Sequence, residues 1–98
     1  MTTMDIVRLH AIVEGLVQGV GFRSYVQQAA NALHLAGWVR NRWDGSVEVM
    51  AEGERPLLER LVSALWRGPI SAEVSEVTEE WLPASGEFRR FQVRLTLE

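Results

Sequence analysis

Gly15, Gly19 and Gly21 fall within seven residues, and an arginine, Arg23, follows two positions after the last of them. The stretch stands where a strand-like run gives way to a helix-like run. Glycine lets the backbone turn several N–H groups toward one point and lets a ligand come close. A helix N-terminus adds unpaired N–H donors and partial positive charge. Arginine adds a planar fork matched to phosphate oxygens. Leu16, Val17, Gln18, Gly19, Val20, Gly21 and Arg23 together read as an anion cradle, and a phosphoryl group is the ligand it suits.

The elements that must position this cradle follow from the hydrophobic pattern. Ile6 to Glu14 alternates as a strand, with Val7, Leu9, Ala11 and Val13 on one face and Arg8, His10 and Glu14 on the other. Phe22 to Leu35 has helical spacing, with Phe22, Val26, Ala29, Ala30 and Leu33 on one side and Gly37 as its expected stop. Trp38–Arg42 and Ser46–Glu52 are strand-like, and Asp44-Gly45 between them predicts a two-residue turn with positive φ at both positions. Pro56 opens a second helix with the stripe Leu57, Leu58, Leu61, Val62 and Leu65, closed by Gly68-Pro69. A fourth strand lies within Ala72–Trp81, where Val74 and Val77 break strict alternation as a bulge would. Phe91, Val93, Leu95 and Leu97 alternate as a last strand. The order β-α-β-β-α-β plus one strand predicts a split β-α-β sandwich, one mostly antiparallel sheet with two helices on one face.

That order brings a second residue to the cradle. A helical crossover joins parallel strands, so the strand after the first helix returns to the sheet edge that holds the glycine loop. Asn41 stands at its end. A carboxamide donates and accepts hydrogen bonds without ionising, and can therefore hold a water in a fixed orientation. Phosphoryl transfer asks chiefly for positioning and charge stabilisation. Backbone N–H groups, one arginine and one amide suffice for an activated phosphate anhydride.

The whole chain, residues 1–98, is expected to be one domain with one core. The net charge of −3 argues against a general nucleic-acid binder. No run approaches the roughly 20 apolar residues that span a membrane. There is no cysteine, hence no disulfide, thiolate metal site or cysteine nucleophile, which is consistent with a cytoplasmic location. All ten basic residues are arginine, which excludes Schiff-base chemistry and the phosphate loop that ends in Gly-Lys-Ser/Thr. His10 and His34 do not form a ligand pair, so neither a metal nor another cofactor is implied. Arg40, Arg42, Arg89 and Arg90 are assigned to solvated faces, and Trp38, Trp43, Trp66 and Trp81 to core or edge packing.

Gly15-x-Val17-Gln18-Gly19-Val20-Gly21-Phe22-Arg23, followed by Gly37-Trp38-Val39-Arg40-Asn41-x-x-Asp44-Gly45-Ser46-Val47-Glu48, resembles the two signatures of the acylphosphatase family. The resemblance implies a ferredoxin-like α/β sandwich and metal-free hydrolysis of acyl phosphates to a carboxylate and inorganic phosphate. By motif position it makes Arg23 the phosphate ligand and Asn41 the residue that orients the attacking water. The loop amides of Leu16 through Gly21 would complete the cradle. The expected partner is a small acyl phosphate, and the expected state a monomer. Two other readings stand beside it: an anion-binding module without turnover, and a domain acting on carbamoyl phosphate. The first has no need of Asn41, and the second belongs to larger maturation proteins.

Overall fold

The computed structural model describes residues 5–96. Ile6–Leu16 (β1), Ala36–Asn41 (β2), Val47–Glu54 (β3), Glu73–Pro83 (β4) and Phe91–Val93 (β5) form one sheet in the order β4-β1-β3-β2-β5. Phe22–Ala32 (α1) and Arg55–Arg67 (α2) are the helices. β3 is antiparallel to both β1 and β2, so β1 and β2 run parallel, as a helical crossover requires. β5 joins the far side of β2 in parallel.

The alternation of β1 decides which face the helices cover. Leu9, Ala11 and Val13 are fully buried and oppose Ala51, Val49 and Val47 of β3. Phe22, Val26 and Ala30 of α1 and Leu58, Leu61, Val62 and Leu65 of α2 close over them. Each fully buried Leu or Phe in such a layer contributes about 1.5–3 kcal/mol. Tyr25 joins the two helices by donating its hydroxyl to the Ala64 carbonyl at 2.7 Å.

The bulge expected in β4 is present: Glu14 pairs with Glu76 and Gly15 with Val74, leaving Ser75 as the extra residue. Other expectations need correction. α1 stops at Ala32, not near Gly37. His34 takes the left-handed conformation (φ 57°), and the Leu35 N–H reaches the Ala30 carbonyl while the His34 N–H reaches Asn31. Gly37 lies inside β2 at φ +149°, where a Cβ would fall 1.9 Å from the Met50 carbonyl oxygen, so close approach to β3 explains it. The β2–β3 turn has three residues, not two. The Arg42 N–H donates to Ser46, the Gly45 N–H donates to Arg42, and of Asp44 and Gly45 only Gly45 has positive φ.

The last strand is short. Phe91 is buried, but Leu95 is 82% exposed, because an outermost strand is covered only where α1 overlies it. Leu97 lies outside the described residues. Trp43 and Trp66 are exposed, contrary to the packing role expected of them, whereas Trp38 is buried beneath the guanidinium groups of Arg40 and Arg94.

The helix-free face is held by charge. Glu48 accepts from His10 Nε2 at 2.6 Å and from Arg40 Nε at 2.8 Å, so Arg40 is engaged and not simply solvated. Glu52 accepts from Arg8 Nε at 2.7 Å and from the N–H groups of Ser85 and Gly86, pinning the β4–β5 connection across this face. Burial opposes ionisation of both carboxyls, but their donors outweigh it and hold both below the usual carboxylate range. A depressed folded-state pKa stabilises above the unfolded value of about 4.3 and loses that stability as pH falls through the folded value. Urea midpoints are therefore expected to drop on acidification from about pH 5 toward pH 3. Glu48→Gln/Glu52→Gln together should flatten that slope; an unchanged slope would assign acid sensitivity to other carboxyls.

Candidate active site

The glycine loop, residues 17–21, runs from β1 to α1 and is anchored by its apolar residues. Val17 is buried and Val20 packs against the core. Gly19 and Gly21 have φ of 74° and 78°, and a Cβ at either would meet nothing within 4 Å. Their need for glycine is thus conformational: the left-handed backbone turns the chain into the helix. Gly21 is the N-cap of α1 and supplies no side-chain cap, and the first turn contains no acidic residue. The positive end of α1 is therefore uncompensated from its own helix.

Gln18 does not reach into the cleft. Its amide donates to the carbonyls of Arg42 at 2.7 Å and Ser46 at 2.9 Å, tying the glycine loop to the β2–β3 turn. Asp44 stiffens that turn from within, accepting from the Ser46 N–H at 3.0 Å and its hydroxyl at 2.5 Å. These bonds from Ser46 hold the Asp44 carboxyl below its ordinary range. The consequence is that the end of β2 and the glycine loop are one hydrogen-bonded unit.

Between them lies a cleft of about 270 Å³ lined by Val17, Gly19, Gly21 and Arg23 from the loop and helix start, and by Asn41 from β2. Asn41 pairs with Val47 and has the parity of Val39, which places it on the helix-bearing face. Arg23 and Asn41, both half-buried, thus share one cavity, as connectivity had required. Leu16 remains in the β1–β4 ladder opposite Glu73, and Leu16, Gln18 and Val20 are not among the lining residues.

Phe22, Ser24, Gln27 and Val93 also line the cleft and were not among the site residues expected from the sequence. Gln27 was within reach of such reasoning, because it stands one helical turn after Arg23 on the same face. Val93 was not, because nothing in the sequence says which strand β5 joins. Among the described residues no three His, Asp or Glu side chains converge as a metal site would require. No described helix is long and apolar enough to cross a membrane.

A ferredoxin-like sandwich with a cleft between its glycine loop and the end of β2 is the class that fold and site define. The comparisons with known proteins narrow it. The acylphosphatase family pattern matches residues 9–93. An acylphosphatase of Pelotomaculum thermopropionicum is 49% identical over 90 residues, covering 92% of this chain and 98% of the relative. Solved acylphosphatases from Bacillus subtilis and Coxiella burnetii each superpose with a TM-score of 0.87, at 39% and 41% identity, covering 90% and 96% of this chain and 98% and 100% of theirs. The chain belongs to the acylphosphatase family.

Proposed function

We propose that this protein hydrolyses acyl phosphates to a carboxylate and inorganic phosphate by direct attack of water, without a metal or other cofactor. The observation that carries the reading is the shared cleft: Arg23, the glycine-loop backbone and Asn41 meet in one cavity of a family member. In this reading the backbone N–H groups of the loop residues that line the cleft, Val17, Gly19 and Gly21, and the Arg23 guanidinium hold the phosphoryl oxygens. Asn41 holds the water in line with the bond to the leaving carboxylate. The water oxygen forms the new bond to phosphorus as the bond to the carboxylate oxygen breaks. A carboxylate is a stable leaving group and needs no acid catalyst. The water's proton passes to a phosphoryl oxygen, since no His, Asp or Glu among the described residues lines the cleft.

Positioning and preorganised charge are the two effects such a site offers, and phosphoryl transfer is the reaction that gains most from them. An anion-binding module would use the same loop but would leave Asn41 without a task. The same reading has the enzyme acting as a cytoplasmic monomer on a small substrate, with no nucleic-acid or membrane partner; sedimentation at working concentration checks the first.

The test is release of inorganic phosphate from benzoyl phosphate before and after exhaustive chelation. Unchanged turnover in the chelator is expected. Loss of activity with recovery on adding a divalent ion would overturn the metal-free mechanism, and no turnover in either condition would leave a binding module.

A further inference from the structure

The cleft has a way out that the phosphoryl group does not use. Gln27 and Val93 line it, and the same two residues line an adjoining shallow depression of about 460 Å³ whose other walls are Arg90, Phe91 and Gln92. The two form one groove between α1 and the β5 edge. Strand register gives its direction. β5 is parallel to β2, with Val93 level with Val39 and Phe91 level with Gly37, while Asn41 stands at the far end of β2. At about 3.3 Å per residue the groove descends roughly 13 Å from the level of Asn41 to that of Phe91. It therefore leads away from Asn41, the residue assigned to the water, and offers room for a leaving group on that side.

The groove changes character along this path. Val93 is 41% exposed and offers an apolar wall near the phosphoryl end. Arg90 lines the other end and is exposed. Among the described residues it has no carboxylate partner, unlike Arg8, Arg40 and Arg55. Its backbone is fixed even so: its carbonyl accepts from the Gly37 N–H at 3.0 Å, and Gln27 Nε2 donates to the next carbonyl, that of Phe91, at 3.2 Å. An apolar stretch followed by an unpaired cation on the fixed backbone just before β5 complements a methylene chain that ends in an anion.

We propose that the groove along β5 is the acyl subsite, and that Arg90 makes it selective for acyl phosphates with an anionic group at the far end of the chain. The proposal rests on the acyl phosphate hydrolysis proposed above. It assigns Val93 and Gln27 to the methylene chain and Arg90 to the distal carboxylate. Arg90 is a specificity residue and takes no part in the bond change.

Adipoyl monophosphate and hexanoyl phosphate test this, because they share six carbons and differ only in the terminal carboxylate. The wild-type protein is expected to show a lower KM for the adipoyl compound, with the advantage lost near 1 M salt, where screening acts over about 3 Å. Arg90→Gln should raise KM for adipoyl monophosphate about three- to fivefold, the scale of an exposed ion pair, and leave hexanoyl phosphate within about twofold. Arg90→Glu should widen the selective loss to about tenfold by adding repulsion. Equal changes for both substrates, or none for either, overturn the proposal while the hydrolytic function stands. If the wild-type protein hydrolyses neither compound, the function and the subsite fall together.

Discussion

Asn41→Ala is expected to lower kcat about 10²–10³-fold while phosphate affinity and thermal stability stay close to those of the parent protein. The expectation follows from where Asn41 stands. It ends β2 and pairs with Val47 through its backbone, which alanine preserves. Its half-buried side chain lines the cleft from the side opposite the α1 start, and it makes no side-chain hydrogen bond that the fold depends on among the described residues. Holding a nucleophile in line lowers the activation barrier more than it stabilises bound substrate. Its loss, about 2.7–4 kcal/mol for one well-placed polar group, should therefore appear in kcat and not in KM. The measurements are kcat, the inhibition constant of inorganic phosphate, and a thermal melt for both proteins. Near-normal kcat would reduce Asn41 to a strand terminus. Equal losses in rate and phosphate affinity would make it a binding group and leave the water without its partner.

Arg23→Gln should do more, because it acts on binding and rate together. Among the described residues Arg23 is the one charged side chain lining this cleft. Charge migrates onto the phosphoryl and leaving oxygens in the transition state, so a guanidinium fixed beside them stabilises that state more than the bound substrate. Removal of an arginine from a phosphoryl-transfer site costs on the order of 10³-fold or more in rate. The inhibition constant of phosphate should rise as well, which separates this variant from Asn41→Ala. Arg23→Lys is the sharper probe. It keeps the charge but replaces a planar bidentate fork with a flexible point donor. We expect it to recover no more than about a tenth of the parent kcat/KM, with phosphate affinity restored further than rate. A lysine variant within threefold of the parent would show that charge alone suffices at this position.

Both predictions depend on a cavity that could be argued before it was seen. The glycine spacing, the arginine behind it and the apolar periods of β1 and α1 are local features, and local features survive into the fold. The return of β2 to the loop edge is not local, but it follows from chain connectivity, since a crossover helix admits only one strand direction. For that reason Arg23 and Asn41 could be brought together on paper. The bulge at Ser75 was legible for a related reason: an extra residue shifts the alternation of Val74 and Val77.

What misled the reading were residues whose conformation is set by neighbours far away in sequence. Gly37 looks like a helix stop because glycine often is one, yet its requirement comes from the Met50 carbonyl of β3 lying against it. Asp44-Gly45 looks like a two-residue turn. The three-residue turn that forms instead is tied down by Gln18, whose amide arrives from the loop 24 residues earlier. Trp43 and Trp66 were assigned to packing because they sit on different elements without a basic background, but that does not say which face of an element meets solvent.

By itself the sequence determined the order and type of the elements, the left-handed glycine turn that leads into α1 and the company of Arg23 and Asn41. Each of these depends on backbone propensity, hydrophobic period or connectivity, which a single chain carries in its own residue types. Only the tertiary structure decided that β5 docks beside β2, that Val93 thereby walls the cleft, and that Glu52 strings the β4–β5 connection across the helix-free face. A three-residue strand carries too little pattern to name its neighbour. Its place is chosen by burial of Phe91 beneath α1 and by hydrogen bonds to β2, and these exist only once the rest of the sheet has formed.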